Sequence, residues 1–126
     1  MARGRKVSKF DRARAKAKKY YFNKWSGHEG ITPAFKQKVL ITRSGWDHLV
    51  NPRHKRTKVE QMKRFEILPL AKKLLETAQT FQEHRDDKFG HYFAFAGYIG
   101  GRKIKVVVRS KAFTSQKYFY SLMILW

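Results

Sequence analysis

Two histidines in a strongly basic stretch are the residues of this chain best suited to acid/base chemistry. His48 comes first, and His54 follows among Arg53, Lys55 and Arg56. A histidine exchanges a proton near neutral pH, and arginine and lysine side chains bind phosphate. The stretch therefore predicts proton transfer on a polyanion, with His48 as the leading candidate. His54 is the rival, although its cationic neighbours should disfavour its protonated form, and its role could be limited to binding phosphate.

The element that must position His48 is predicted to be a short helix. An apolar run over residues 38–42 favours a strand, and Ser44 can cap a helix after it. A longer core helix is predicted to begin after Thr57, a second capping residue, and Pro69 should bend or restart it. Beyond residue 77 the apolar period changes to two, and strands are predicted over residues 79–85, 89–98, 102–109 and 117–126.

The hairpin around Gly100-Gly101 decides which side chains share a face of this sheet. A two-residue turn there pairs Tyr98 with Lys103 and Ala96 with Lys105. Alternation along the second strand then separates two faces. One face, which should meet the helices, carries Ile104, Val106 and Val108. The other carries Lys103, Lys105, Val107 and Arg109.

The last strand is predicted to complete a phosphate site on the cationic face. With a symmetric loop before it, Arg109 opposes Lys117 and Lys105 opposes Ser121, whereas a slip of one residue would reverse this arrangement. Cations beside a hydroxyl can hold a phosphate. The predicted catalytic set is therefore His48, Arg109, Ser121 and Lys105.

The charge of the chain indicates the kind of partner. Its 126 residues include 29 Lys+Arg against 9 Asp+Glu, a formal net charge of +20. Nucleic acid is the first candidate partner, because binding phosphates releases counterions, and an anionic membrane surface is the second. The aromatic fraction of 15% is too high for a disordered basic tail. Residues 1–36 are predicted to form a basic arm before a domain over residues 37–126. The arm is either solvated and partly disordered, or it becomes helical on nucleic acid, and in the second case an aromatic patch of Tyr20, Tyr21, Phe22 and Trp25 is predicted to dock on the domain.

The residues predicted to contact nucleic acid are mostly cations. They are Arg14, Lys16, Lys18, Lys19, Arg43, Arg53, His54, Lys55, Arg56, Lys103 and Lys117. Tyr92, Tyr98 and Phe119 are predicted to stack on bases. The chain has no cysteine, and its five histidines lack the spacing of metal ligands, so no metal or other cofactor is expected. It also lacks an apolar run long enough for a membrane span.

The pattern resembles one known family over about residues 37–124. The residues that carry the resemblance are Ile41–Leu49 (ITRSGWDHL), the Leu68-Pro69-Leu70-Ala71 helix, and Phe119-Tyr120-Ser121-Leu122 in the closing strand. They are similar to the phage members of the barnase–EndoU–colicin–RelE-like nuclease superfamily. The resemblance implies helices packed on a four-stranded antiparallel sheet, with a helix histidine, here His48, facing basic residues and a last-strand hydroxyl, here Ser121.

The same resemblance implies a function. Members of the family include metal-independent ribonucleases that act as toxins in the bacterial cytoplasm, often carried by phages or mobile elements. The expected activity is endoribonucleolytic cleavage of RNA, such as tRNA or rRNA, leaving 2′,3′-cyclic phosphate ends, and the expected protein partner is an acidic immunity protein or antitoxin. The alternatives are a non-enzymatic RNA-binding protein, such as a ribosome-associated one, and a DNA-binding or virion-internal protein that relies on charge alone.

Overall fold

A computed structural model of the chain describes residues 7–51 and 56–125, which form an α+β domain. The α-helices are α1 (Lys9–Tyr20), α2 (Arg43–Val50), α3 (Lys58–Glu66) and α4 (Leu68–Thr77), and a π-helical turn, Tyr21–Trp25, continues α1. The strands are β1 (Ile31–Thr32), β2 (Gln37–Leu40), β3 (Glu83–Asp87), β4 (Gly90–Ile99), β5 (Arg102–Ser110) and β6 (Lys117–Ile124). Within the described ranges, no helix is long and apolar enough to cross a membrane.

The sheet is larger than the predicted four-stranded antiparallel one. It has six strands in the order β1-β2-β6-β5-β4-β3. Strands β3 to β6 are antiparallel neighbours, as expected, but β2 pairs with β6 in parallel, with Val39 opposite Lys117 and Leu40 opposite Tyr118. The prediction of a purely antiparallel sheet is therefore wrong, because the short strand before α2 joins the edge of β6 instead of standing apart.

The hairpin of β4 and β5 is confirmed in register and in faces. Tyr98 lies opposite Lys103 and Ala96 opposite Lys105. Gly100 and Gly101 both have positive φ, at 57° and 77°, which a two-residue hairpin turn of this hand needs and which glycine adopts without strain. The face that meets the helices, here called the core face, carries Ile104, Val106 and Val108, each 0% exposed.

The predicted register of β6 is wrong. Arg109 lies opposite Tyr118, and Ser110 lies opposite Lys117. The pairing of β5 with β6 is therefore shifted by one residue from the predicted pair of Arg109 with Lys117. A bulge then shifts the pairing again, because Val107 lies opposite Ser121 while its neighbour Val108 lies opposite Phe119. Tyr120 is the extra residue of the bulge. In consequence Lys105 lies opposite Met123 and not opposite Ser121.

The N-terminal segment contributes to the main core. Ala17, Tyr21 and Trp25 are at most 4% exposed and cluster with α2, α4 and the core face of the sheet. The docking expected under the helical alternative is thus seen for Tyr21 and Trp25, while Tyr20 and Phe22 are half-buried. The core therefore runs across the predicted boundary between residues 36 and 37.

The helix ends follow ordinary capping chemistry. Thr57 caps α3 as predicted, with its hydroxyl accepting from the Glu60 backbone N–H at 3.1 Å. Helix α4 restarts at Leu68 with Pro69 in its first turn, where a missing N–H costs little. The cap of α2 is Thr42 and not the predicted Ser44, because the helix begins two residues earlier than expected.

Candidate functional site

A cleft of about 750 Å³ lies between the start of α2 and the neighbouring ends of β5 and β6. Its lining is basic, hydroxylated and aromatic. The lining residues are Thr42, Ser44, Gly45, His48, Phe89, Arg109, Ser110, Lys111, Tyr118, Phe119 and Tyr120. Two residues predicted for catalysis, His48 and Arg109, are therefore brought together here.

The ring of Tyr120 contacts both the imidazole of His48 and the guanidinium of Arg109. The His48 and Tyr120 rings are stacked, with centroids 4.3 Å apart and planes at 29°. The Cζ atom of Arg109 lies 5.9 Å from the Tyr120 centroid and 5.7 Å from that of Tyr92. Stacked rings and cation–π contacts hold side chains in defined positions. Tyr120 thus fixes a potential proton carrier and a permanent cation relative to each other.

Arg109 is oriented by a second contact. Its Nη2 donates to the Phe89 carbonyl at 2.8 Å, across the turn between β3 and β4. A guanidinium has five N–H donors in a fixed fork, so one hydrogen bond leaves donors to bind a phosphate. Its neighbour Tyr92 is 6% exposed, and burial raises the pKa of its phenol above the ordinary range. Tyr92 is therefore an uncharged support for the cation near neutral pH.

Helix α2 reaches the cleft because β2 ends early. After Leu40 the chain leaves the sheet, and α2 then packs beside β6 where β2 no longer pairs with it. Gly45 allows this close approach, since a Cβ there would lie 2.8 Å from Phe119 Cδ2 and 2.5 Å from the Tyr21 hydroxyl. That hydroxyl donates to the Thr42 carbonyl at 2.6 Å, and burial raises the pKa of the phenol far above its ordinary range.

The start of α2 adds a favourable environment for an anion. Thr42 and Ser44 lie in the cleft lining, so the first turn of the helix borders the cleft. The N-terminus of a helix carries partial positive charge and backbone N–H donors. Together with Arg109 and Lys111, it makes the cleft suited to a phosphate group beside an imidazole.

Ser121 and Lys105 lie elsewhere on the sheet. Ser121 is 5% exposed and lies opposite Val107 on the face away from the core. Lys105 Nζ is 3.0 Å from Glu83 Oε1, in a separate depression that Arg85 also lines. The structure therefore brings together two of the four residues predicted for catalysis.

The other predicted phosphate-binding residues are spread over several elements. Arg14, Lys16, Lys18 and Lys19 are exposed on α1. Arg43 is exposed at the start of α2, with Nε 3.9 Å from Asp47 Oδ1, and Lys103 lies by the hairpin turn with Nζ 5.5 Å from the Tyr98 centroid. Arg53, His54 and Lys55 fall outside the described residues, so the choice of His48 over His54 as the general base stays a prediction.

Arg56 and Lys117 have internal partners. Arg56 Nη1 donates to the Leu49 carbonyl at 3.2 Å, and burial, followed by the charge of Arg64, lowers its pKa. Lys117 is 2% exposed, and its Nζ donates to the carbonyls of Phe113 and Ser115 at 2.7 and 2.8 Å. Lys117 thus points into the core face, contrary to its predicted place beside Arg109, because the register of β6 is shifted.

Sequence reasoning missed Tyr120, Phe89, Tyr118 and Lys111 as cleft residues. Strict alternation along the last strand, with Lys117 and Ser121 on the cationic face, puts Tyr118 and Tyr120 on the same face as the core residue Leu122. The bulge breaks that alternation. A signal for Phe89 was its place in a short turn after two aspartates, where an exposed aromatic is unusual.

Within residues 7–51 and 56–125, no group of three or more metal-ligand side chains is arranged to hold a metal ion. The chain matches no protein-family model, and no curated protein or solved structure was found to be similar to it. The chemistry of the cleft therefore has to be argued from its own residues.

Proposed function

We propose that this protein is a metal-independent endoribonuclease, whose active site is the cleft between α2 and the ends of β5 and β6. The observation that carries the proposal is that His48 and Arg109 both contact the ring of Tyr120 in this cleft. A proton carrier beside a phosphate-binding cation is the minimum that RNA cleavage by its own 2′-hydroxyl requires. The net charge of +20 supports a polyanionic substrate.

The proposed reaction assigns a role to each group. His48 removes the proton of the 2′-hydroxyl, whose oxygen attacks the adjacent phosphorus. Arg109 and the N-terminal turn of α2 stabilise the additional negative charge on the phosphate oxygens. The bond between phosphorus and the 5′ oxygen breaks, and that oxygen takes a proton from a donor in the cleft, for which Lys111, Tyr118 and Tyr120 are the candidates. The products are a 2′,3′-cyclic phosphate and a 5′-hydroxyl.

The first test is cleavage of total RNA by the purified protein in EDTA. We expect fragments that end in 2′,3′-cyclic phosphate, and His48→Ala should slow cleavage about 10²–10⁴-fold while RNA binding and the melting temperature are kept. If His54→Ala is inactive and His48→Ala is active, the general base is His54. If the native protein cuts no RNA, the enzymatic proposal is refuted.

A matched pair of arginine variants tests the electrostatic role. Arg109 and Arg102 lie near opposite ends of β5, and Arg102 lies outside the cleft, with Nη2 3.7 Å from Glu66 Oε2. Each alanine substitution removes one positive charge from the same strand. Arg109→Ala should reduce the rate of cleavage strongly, whereas Arg102→Ala should change it little. Equal effects would show that Arg109 contributes only to the overall charge.

A non-enzymatic RNA-binding protein is the second candidate function. The observation that favours it is the exposed cationic surface of α1, which lies outside the cleft and needs no histidine. If this alternative holds, replacing the exposed cations of α1 by neutral residues would abolish RNA binding. Arg109→Ala would then weaken RNA binding no more than Arg102→Ala does.

The toxin-like form of the proposal adds a partner and a place of action. A basic cleft is complementary to an acidic protein inhibitor, such as an immunity protein or antitoxin, and the RNA target would lie in a bacterial cytoplasm. Expression in bacteria tests this: the native chain should arrest growth, and His48→Ala should not. Normal growth with the native chain, at equal protein levels, would contradict a toxin.

A further inference from the structure

Two large aromatic side chains in the lining of the cleft are exposed to solvent. Phe89 is 60% exposed and Tyr118 is 40% exposed, and both line the cleft. The nearby aromatics Tyr92 and Phe119 are only 6% and 2% exposed. Exposed aromatic rings beside cations are the usual means by which proteins bind the bases of unpaired nucleic acid.

Both rings are placed relative to Arg109 by the backbone. Tyr118 lies directly opposite Arg109 in the pairing of β5 with β6. On the other side, the Arg109 guanidinium donates to the Phe89 carbonyl at 2.8 Å. The phosphate-binding cation is therefore flanked by one exposed ring on the turn before β4 and another on β6.

We infer that the cleft takes single-stranded RNA, with Phe89 and Tyr118 stacking on the two bases that flank the phosphate bound at Arg109. This inference rests on the proposed function, since it names the substrate class of the same cleft. In an RNA duplex the base faces are already stacked and the rings could not reach them. In a single strand every base offers a face, so the two rings would select unpaired segments with little preference for sequence.

The exposure of the aromatic side chains also corrects the prediction of which of them stack on bases. Of the three predicted to stack on bases, Tyr92 and Phe119 are buried. Tyr98 is 63% exposed but lies near the far end of β4 from Phe89. A strand rises about 3.3 Å per residue, so the two rings are roughly 30 Å apart along β4. Tyr98 is therefore a control for Phe89, a similarly exposed ring that lies outside the cleft.

The test is binding of a short oligonucleotide in which every 2′-hydroxyl is replaced by fluorine. Such a strand lacks the nucleophile for cleavage, so affinity is measured without turnover. By fluorescence anisotropy, the single strand should bind the native protein more tightly than the same strand annealed to its complement. Phe89→Ala and Tyr118→Ala should each weaken single-strand binding about five-fold or more, and Tyr98→Ala should not.

Two further arms isolate stacking from charge and from folding. Tyr118→Phe keeps the ring and should bind as the native protein does. A strand with abasic residues keeps its phosphates, so it should bind the native protein and Phe89→Ala equally. Melting temperatures of all variants confirm that the fold is intact, since both rings are exposed and their loss should cost little stability.

The outcomes distinguish this inference from the proposed function. If the duplex binds as tightly as the single strand, or if Phe89→Ala and Tyr118→Ala bind like Tyr98→Ala, base stacking at the cleft is refuted even if RNA is cut. If the variants and the abasic strand behave as expected while native RNA stays intact, the base-binding cleft stands and the enzymatic proposal fails.

Discussion

Replacing Gly45 by alanine should destabilise the protein, although the same change normally stabilises a helix. Glycine in a helix interior costs about 1 kcal/mol relative to alanine. At Gly45, however, an added Cβ would lie 2.5 Å from the Tyr21 hydroxyl, 2.8 Å from Phe119 Cδ2 and 3.0 Å from the Phe119 carbonyl oxygen. Two of these atoms have little freedom, because one belongs to the β6 backbone and the other donates a 2.6 Å hydrogen bond to Thr42.

The expected size of the effect follows from these opposing contributions. Forcing an extra methyl into a packed core costs about 1–3 kcal/mol, and the gain in helix propensity offsets about 1 kcal/mol of it, so the net loss for Gly45→Ala should be up to about 2 kcal/mol. For a domain of this size, each 1 kcal/mol of lost stability lowers the melting temperature by roughly 4 °C. Moving α2 away from β6 would also move His48, so RNA cleavage should fall.

A double-mutant cycle identifies the clashing atom. Tyr21→Phe removes the hydroxyl and should alone cost about 0.5–1.5 kcal/mol for its hydrogen bond. Because it also removes the atom nearest the new methyl, Gly45→Ala should be less destabilising in the Tyr21→Phe background, by about 1 kcal/mol. Urea denaturation of the four proteins gives the free energies of unfolding, and Ala15→Gly on the exposed side of α1 calibrates helix propensity. A stabilising Gly45→Ala would refute the close packing of α2 on β6, and strict additivity would rule out the Tyr21 hydroxyl as the clashing group.

Three further predictions concern charge, capping and pH. Affinity for RNA should fall steeply with salt, and neutralising Arg14, Lys16, Lys18 and Lys19 should flatten the plot of log affinity against log salt, equally for unrelated RNA sequences. A flat plot for the native protein would contradict phosphate binding. Thr57→Ala should lower the free energy of unfolding, measured in urea titrations, by about 1 kcal/mol. The cause is loss of the hydrogen bond from the Glu60 backbone N–H to the Thr57 hydroxyl. An unchanged free energy of unfolding would mean that another group caps α3. Burial lowers the pKa of Lys117 below its ordinary 10.5, so the unfolded chain binds this proton more strongly than the native protein does. As pH rises from the lowered pKa toward 10.5, the native protein should therefore gain stability relative to Lys117→Met. A difference in stability between the two proteins that does not change with pH would contradict this.

The features that the sequence predicts correctly are those set by neighbouring residues. The β4–β5 hairpin follows from two adjacent glycines and from alternation over a few positions, and the structure has the expected pairs. The cap at Thr57 depends on a residue only three positions away. The helical position of His48 and the cationic face with Arg109 follow from equally local patterns.

The features that it predicts wrongly or leaves open depend on contacts between distant parts of the chain. Parallel pairing of Leu40 with Tyr118 has no local signal, because the hydrogen bonds join segments that nothing in the sequence relates. The place of Tyr21 and Trp25 in the core is equally non-local, since a helix with few apolar residues and many cations is also typical of a solvated arm.

The bulge in β6 explains why the site could be predicted only in part. Phe119 and Leu122 are both in the core, at 2% and 0% exposure, although strict alternation puts residues three apart on opposite faces. One extra residue between them is needed, and the pairing places it next to Val107 and Val108 on β5, beside Arg109. That residue is Tyr120, whose ring contacts both His48 and Arg109. Packing of the core therefore requires the same irregularity that assembles the cleft, as is common for bulges beside functional sites.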